Sequence, residues 1–186
     1  MKNGRYQEDG IELWYFNNEL HREDGPACIE PDGTQSWYLH GKLHRVDGPA
    51  VMWGEGGEEW WQFGVRHRTD GPAVMNADGS CRWYLKGRLH RVDGPAIEAA
   101  SGAAAWYQRG QLHRDDGPAV EGADGTREWY LRAIKLSEEE FNAAHGIKPI
   151  LKTAPQKSKH AVKREILSLR EKYLNSDGAS GIKIRW

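Results

Sequence analysis

Five histidines, His21, His44, His67, His90 and His113, stand 23 residues apart with no insertion or deletion between them. Each opens the same heptad, read in turn as HREDGPA, HRVDGPA, HRTDGPA, HRVDGPA and HRDDGPA. Sixteen residues after each His stands a tryptophan: Trp37, Trp60, Trp83, Trp106 and Trp129. A second aromatic follows every one of them, Tyr38, Trp61, Tyr84, Tyr107 and Tyr130. Running the frame backward puts Asp9-Gly10 and Trp14-Tyr15 in the same columns, so the array opens with a partial unit. A fixed period of this length is the mark of a tandem architecture in which each unit contacts its neighbours.

One unit is read from its punctuation. Pro-Ala followed by Cys28, Val51, Val74, Ile97 or Val120 begins a short strand. Asp-Gly comes next (Asp32-Gly33, Asp78-Gly79, Asp124-Gly125), and those residues readily take the positive φ of a tight hairpin turn. A second strand runs into Trp-Tyr, a further Gly (Gly41, Gly64, Gly87, Gly110) closes it, and His-Arg-x-Asp-Gly-Pro links to the next unit. Two short strands per unit suit a hairpin array. A helical repeat would need longer stretches free of Gly and Pro.

Composition agrees. Hydrophobic residues make up 38% of the 186-residue chain, below the roughly 45–50% of ordinary globular chains. Yet nine Trp and 22 Gly are present, six of those Trp in the repeat column. A sheet without a second layer has no place to bury aliphatics, so aromatics in register between units must hold it. Adjacent Trp and Tyr point to opposite faces; the Trp ladder is expected to be the packed spine, and the Ala after Pro leaves room for a large neighbour. No apolar run approaches the ~20 residues of a membrane-spanning helix, and MKNGRYQEDG has no signal-peptide segment. Two Cys give neither a disulfide framework nor a zinc ribbon. A cytoplasmic protein is the expectation.

The core G-x-x-x-W-Y-x-x-G-x-x-H-R-x-D-G-P-A resembles the MORN repeat, over about residues 4–131. It departs from the usual pattern in placing Trp-Tyr where Tyr-x-Gly is common and in adding HRxDGPA. The resemblance implies an elongated, single-layer antiparallel sheet of tandem hairpins, mainly β, used for protein contacts or, in some members, lipid contacts. Such His-Arg-x-Asp-Gly-Pro-Ala units are associated with bacterial and phage proteins. For a phage product the association implies an inhibitor of a host protein or defence system, acting in the host cytoplasm.

The repeated His44, His67, His90 and His113, with Asp47, Asp70, Asp93 and Asp116, are the tempting chemistry. Successive units lie two strand spacings apart, roughly 9–10 Å, whereas each ligand of a zinc ion must come within about 2.1 Å of it. Equivalent histidines therefore do not share a metal easily. Five equivalent copies also argue against a single differentiated catalytic pocket, and HRxD without other kinase elements is not a kinase motif. No catalytic, cofactor-binding or metal-binding residue is assigned. The reading preferred is Arg paired with Asp, and His and Asp bonded to turn amides, with surface anion binding by the Arg row as the alternative.

Differences between units mark a binding surface. One unit carries Trp53, Glu55, Glu58, Glu59, Trp60, Trp61, Gln62 and Phe63, where another carries Ala99, Ala100, Ala103, Ala104 and Ala105. Trp53, Trp61 and Phe63 are expected partner anchors, with Tyr38 and Tyr84 beside them.

The period ends after Leu131, with Ala133 where Gly was due. The chain is thus read as a repeat array, 1–131, and a helical segment, 132–186. Ser137 and Glu140 make a capping box, Leu136 and Phe141 a hydrophobic staple, and Gly146 a stop. A second helix is expected from Ser158 to about Asn175, with Arg164, Arg170 and Tyr173 as contacts for a partner or another copy. Residues 1–131 hold 14 Lys and Arg against 21 Asp and Glu, net −7; residues 132–186 hold 12 against 6, net +6. Two functions fit: a non-enzymatic scaffold presenting an aromatic, acidic face to a protein partner, and a nucleic-acid or nucleotide binder using the Arg row and basic tail. Self-association through a sheet edge or the C-terminal helix is compatible with both.

Overall fold

The computed structural model describes residues 1–146, so the expected helix over 158–175, with Arg164, Arg170 and Tyr173, lies outside the described residues. The protein is mainly β, and the chain divides into two units, Met1–Ile134 and Lys135–Trp186.

The first unit opens with Gly4–Glu8 antiparallel to Ile11–Phe16. Ile11–Phe16 then pairs with Cys28–Ile29, and from there one antiparallel sheet is built strand by strand. Its order follows the sequence: Cys28–Ile29, Gln35–Ser36, Val51–Met52, Gly57–Glu59, Val74–Asn76, Cys81–Arg82, Ile97–Glu98, Ala104–Ala105, Val120–Glu121 and Arg127–Leu131. Alternate pairings are the hairpin of one unit and the seam to the next, as in Ser36 opposite Cys28 on one side and Val51 on the other. The hairpin turns are built as their composition predicts. Asp32 Oδ1 accepts from the Thr34 amide at 2.8 Å, Asp78 from Ser80 at 2.8 Å and Asp124 from Thr126 at 2.9 Å.

Each of the four units between Cys28 and Leu112 holds four short strands rather than the two expected, because the second strand breaks at the tryptophan, whereas Ile11–Phe16 and Arg127–Leu131 run unbroken through Trp14 and Trp129. Trp37 donates its amide to Ala50 O of the next unit at 2.8 Å, while its carbonyl accepts from His44 of its own unit at 3.0 Å. Before the Trp the chain pairs with neighbouring units; after it, the chain pairs with itself. The resulting second hairpins are Tyr38–Leu39 with Lys42–Leu43, Trp61–Gln62 with Val65–Arg66, Tyr84–Leu85 with Arg88–Leu89, and Tyr107–Gln108 with Gln111–Leu112.

This assigns the second Gly of the motif. It is the second residue of a two-residue turn with positive φ at both positions, as at His40 and Gly41 (48° and 70°) and at Lys86 and Gly87 (51° and 77°). That is the turn whose twist matches a tight hairpin. Each turn glycine then bonds to the preceding unit, Gly41 N to Leu20 O, Gly64 N to Leu43 O, Gly87 N to Arg66 O and Gly110 N to Leu89 O, at 2.8–2.9 Å. The turn row continues beyond the end of the motif. Arg132 and Ala133 hold φ of 50° and 65°, and Ala133 N bonds to Leu112 O at 2.8 Å.

The fully buried side chains of the array are small. Ala27, Ala50, Ala73, Ala96 and Ala119 have no exposed surface, and Val51, Val74 and Thr34 join them. The repeat tryptophans are half-buried. In the second unit, Ser137 caps the helix Glu138–Ala144. Its hydroxyl accepts from the Glu140 amide at 3.2 Å, and the Glu140 carboxylate accepts from the Ser137 amide at 2.8 Å. Leu136 and Phe141 are both buried, and Gly146 takes a φ of 67° just past the helix.

Ala133 holds a left-handed φ at the second turn position, which is glycine in the four turns before it. Replacing Ala133→Gly removes that strain at the cost of some unfolded-chain entropy, and stability is expected to rise by about 0.5–1 kcal/mol. Urea unfolding followed by circular dichroism checks this.

Candidate functional site

The H-R-x-D-G-P-A heptad forms a clasp. Arg22, Arg45, Arg68, Arg91 and Arg114 each lay the guanidinium over the tryptophan eight residues earlier, with Cζ 3.9–4.2 Å from the ring centroid. Nε donates to the Asp two residues on at 2.7–3.1 Å. Nη1 donates to the Pro carbonyl four residues on at 3.2–3.4 Å. The heptad glycine makes room for this: a Cβ on Gly48 would lie 2.8 Å from Arg45 Cζ, and one on Gly117 3.2 Å from Arg114 Cζ. This glycine is therefore there because it lacks a Cβ, while the turn glycine is there for its φ. The clasp ends on the fully buried Ala, whose carbonyl takes the Trp amide in every unit at 2.7–2.8 Å.

The histidines join one unit to the next. Nδ1 of His21, His44, His67, His90 and His113 accepts the amide of the first turn residue 19 positions on, namely His40, Phe63, Lys86, Arg109 and Arg132, at 3.0–3.3 Å. An accepting Nδ1 places the ring proton on Nε2, which at His113 faces Asp115 Oδ2 at 3.4 Å. Protonating a ring would turn that acceptor into a donor and break the joint.

The tyrosine column lies apart from the clasp. Arg66 bridges two of its members, 4.7 Å from the Trp61 ring and 5.6 Å from Tyr84, and pairs with Glu59 at 3.1 Å. Burial raises the Tyr38 and Tyr107 phenols. It also raises the Cys28 and Cys81 thiols, which are free, so neither is a ready thiolate.

Trp53, Trp61, Phe63, Tyr38 and Tyr84 do not form one patch. Trp53, 47% exposed, sits on the main-sheet turn of its unit, beside Asp32, Glu55 and Asn76. Phe63, 64% exposed, is the first residue of the second turn, stacked on His44 with ring centroids 4.1 Å apart. The segment 57–62 separates the two turns. Trp61, Tyr38 and Tyr84 are half-buried. The acidic residues of that unit are partly engaged, since Glu58 accepts from Trp60 Nε1 at 3.3 Å and Glu59 from Trp61 Nε1 at 2.7 Å.

Spacing alone gave the Arg–Asp pair but not the stacking, because the Trp precedes and the Arg follows the second hairpin, whose turn brings the two together. The signal for it was a heptad glycine outside any turn motif. Among the described residues no cluster of His, Cys, Asp or Glu is arranged to hold a metal, and no helix is long and apolar enough to cross a membrane. No family model, curated protein or solved structure matches the chain, so the likeness of the unit to the MORN repeat rests on its motif.

Two outcomes follow from the clasp. Gly48→Ala would push the Arg45 guanidinium off Trp37, and a loss of about 1–2 kcal/mol is expected, read as a lowered urea midpoint together with altered Trp fluorescence. Hydrogen bonds from the Arg side chains hold the Asp24, Asp47, Asp70 and Asp116 carboxyls below the ordinary range, and bonds from the Thr or Ser after the turn do so for Asp32, Asp78 and Asp124. A carboxylate with a lowered folded value stabilises fully above its unfolded value of about 3.9 and loses that contribution as pH falls through the folded one. The urea midpoint followed downward from pH 5 is expected to fall most steeply below about pH 4, and less so in Asp70→Asn.

Proposed function

We propose that the array is a non-enzymatic scaffold that binds a protein partner through the unit-specific side chains on its turns. One observation carries this reading. The repeated Arg and His side chains are engaged within the array, each Arg on its Trp, Asp and Pro carbonyl and each His on a turn amide. What is left outward is what differs between units, above all Phe63 and Trp53. Exposed aromatics on rigid turns are the side chains that dominate protein interfaces when buried.

The nucleic-acid alternative loses its main support, the Arg row, because those guanidiniums already cover indole rings and are paired with carboxylates. Inhibition of a host protein in the cytoplasm remains the use to which the motif's association with phage proteins points.

Affinity purification from the native host, with the wild type beside Phe63→Asn and Trp53→Ser, tests the proposal. Asn tolerates the positive φ at position 63. An enriched protein whose recovery falls about tenfold in at least one variant, with unchanged circular dichroism, is expected. No protein enriched by the wild type would contradict the reading.

A further inference from the structure

The second-hairpin turns make one edge of the array, and their order along it is fixed by the His joints, so His40, Phe63, Lys86, Arg109 and Arg132 follow one another. The residue after each turn glycine reaches the following turn. Val65 Cβ lies 3.6 Å from where a Cβ on Gly87 would sit, and Arg88 Cβ 3.6 Å from the same point on Gly110. Phe63, Val65, Lys86, Arg88 and Arg109 are thereby one contiguous strip. The third heptad position flanks it. At Glu23 and Asp115 this side chain approaches the Nε2 of its own unit's His at 3.7 and 3.4 Å, and the same position holds Val46 and Val92, 74% and 77% exposed.

Charge and hydrophobicity are sorted along this strip. Phe63 and Val65, with Val46 exposed in the neighbouring heptad, make its apolar part, where Phe63 stacks on His44 and Lys42 Cβ lies 3.7 Å from where a Cβ on Gly64 would sit. Lys86, Arg88 and Arg109 follow, exposed and, unlike the five clasp arginines, in no ion pair among the described residues. Three unpaired cations in an array of net −7 are a local reversal of sign.

We infer that this strip docks a protein segment in which apolar side chains are followed by carboxylates. The inference rests on the scaffold reading and names the partner's chemistry. An apolar centre with complementary charge at its margin is the usual anatomy of a protein interface. Valines at three of the positions offer a base no plane to stack on, whereas they pack against Leu or Phe. A carboxylate run matches the cations without requiring a continuous polyanion to pass Asp93 and Asp115, both exposed on the same units.

The test is fluorescence anisotropy on the full chain with three labelled probes: a peptide with Leu-Phe followed by a run of Glu, the same peptide with Gln for Glu, and an oligothymidylate of equal charge. The Glu peptide is expected to bind about tenfold tighter than the Gln peptide, with a preference that weakens as salt rises. The combined Lys86→Glu, Arg88→Glu and Arg109→Glu variant should lose about tenfold for the Glu peptide and little for the Gln peptide, with Gln at the same three positions giving a smaller loss in the same order. Phe63→Asn should weaken both peptides. Equal binding of the Glu and Gln peptides, indifference to the charge-reversed residues, or oligothymidylate binding as tightly as the Glu peptide overturns the inference. Carrying the charge-reversed protein through the affinity purification separates the two claims. A partner retained by it overturns the docking strip and leaves the scaffold standing; no partner for the wild type, with Glu-peptide binding intact, overturns the scaffold alone.

Discussion

The guanidinium that lies on an indole ties three stretches together: the stretch before the second hairpin that carries the Trp, the loop that carries Arg and Asp, and the Pro-Ala step that begins the next unit. A sheet whose strands are, between its first two and its Arg127–Leu131 strand, only two or three residues long has little ladder to hold it, and its fully buried side chains are mostly alanines. The Trp–Arg stack supplies the missing bulk, since a planar cation over a Trp face adds attraction to the area it covers. The rest of the heptad follows from this contact. Asp and the Pro carbonyl take the guanidinium's donors, Gly clears its path, and Ala fits beneath it. Lys could not substitute, because it offers neither the plane nor the fork.

The clasp also sets where function can lie. Because the Trp diverts its own backbone from the neighbouring unit to its own hairpin, every unit projects a second turn on the same edge. The His joints hold those turns in a row, and nothing in the joint depends on the turn residue's side chain, since only its amide is used. The first turn position is thus free to be His, Phe, Lys or Arg. A repeat whose fixed residues are structural and whose free residues face outward is suited to recognition by sequence variation along a rigid edge.

Much of this was legible in the chain itself. The period, the Asp-Gly turns, the mainly β hairpin array and the capping box of Ser137 and Glu140 follow from rules that act within a few residues. The strand break at Trp37 and its equivalents was not, because Trp is a good strand residue and the break arises from a competition between two hydrogen-bonding partners, Ala50 and His44. The Trp was expected to be the packed spine; it is half-buried, and the group laid on its ring is Arg. Trp53 and Phe63 were recognisable as departures from the repeat, but their separation onto two turns depended on that unforeseen break. The strip of Lys86, Arg88 and Arg109 escaped notice for the same reason: residues 86 and 109 become neighbours only once a second turn exists in each unit.

A double-mutant cycle between Arg68 and Trp60 tests the central contact most directly, using Arg68→Met, which keeps the stem, and Trp60→Leu. Measured by urea unfolding of the full chain, the two losses should overlap, with a coupling of about 1 kcal/mol or more. Additivity within about 0.3 kcal/mol would contradict the account, for it would mean that the guanidinium and the indole stabilise the array independently.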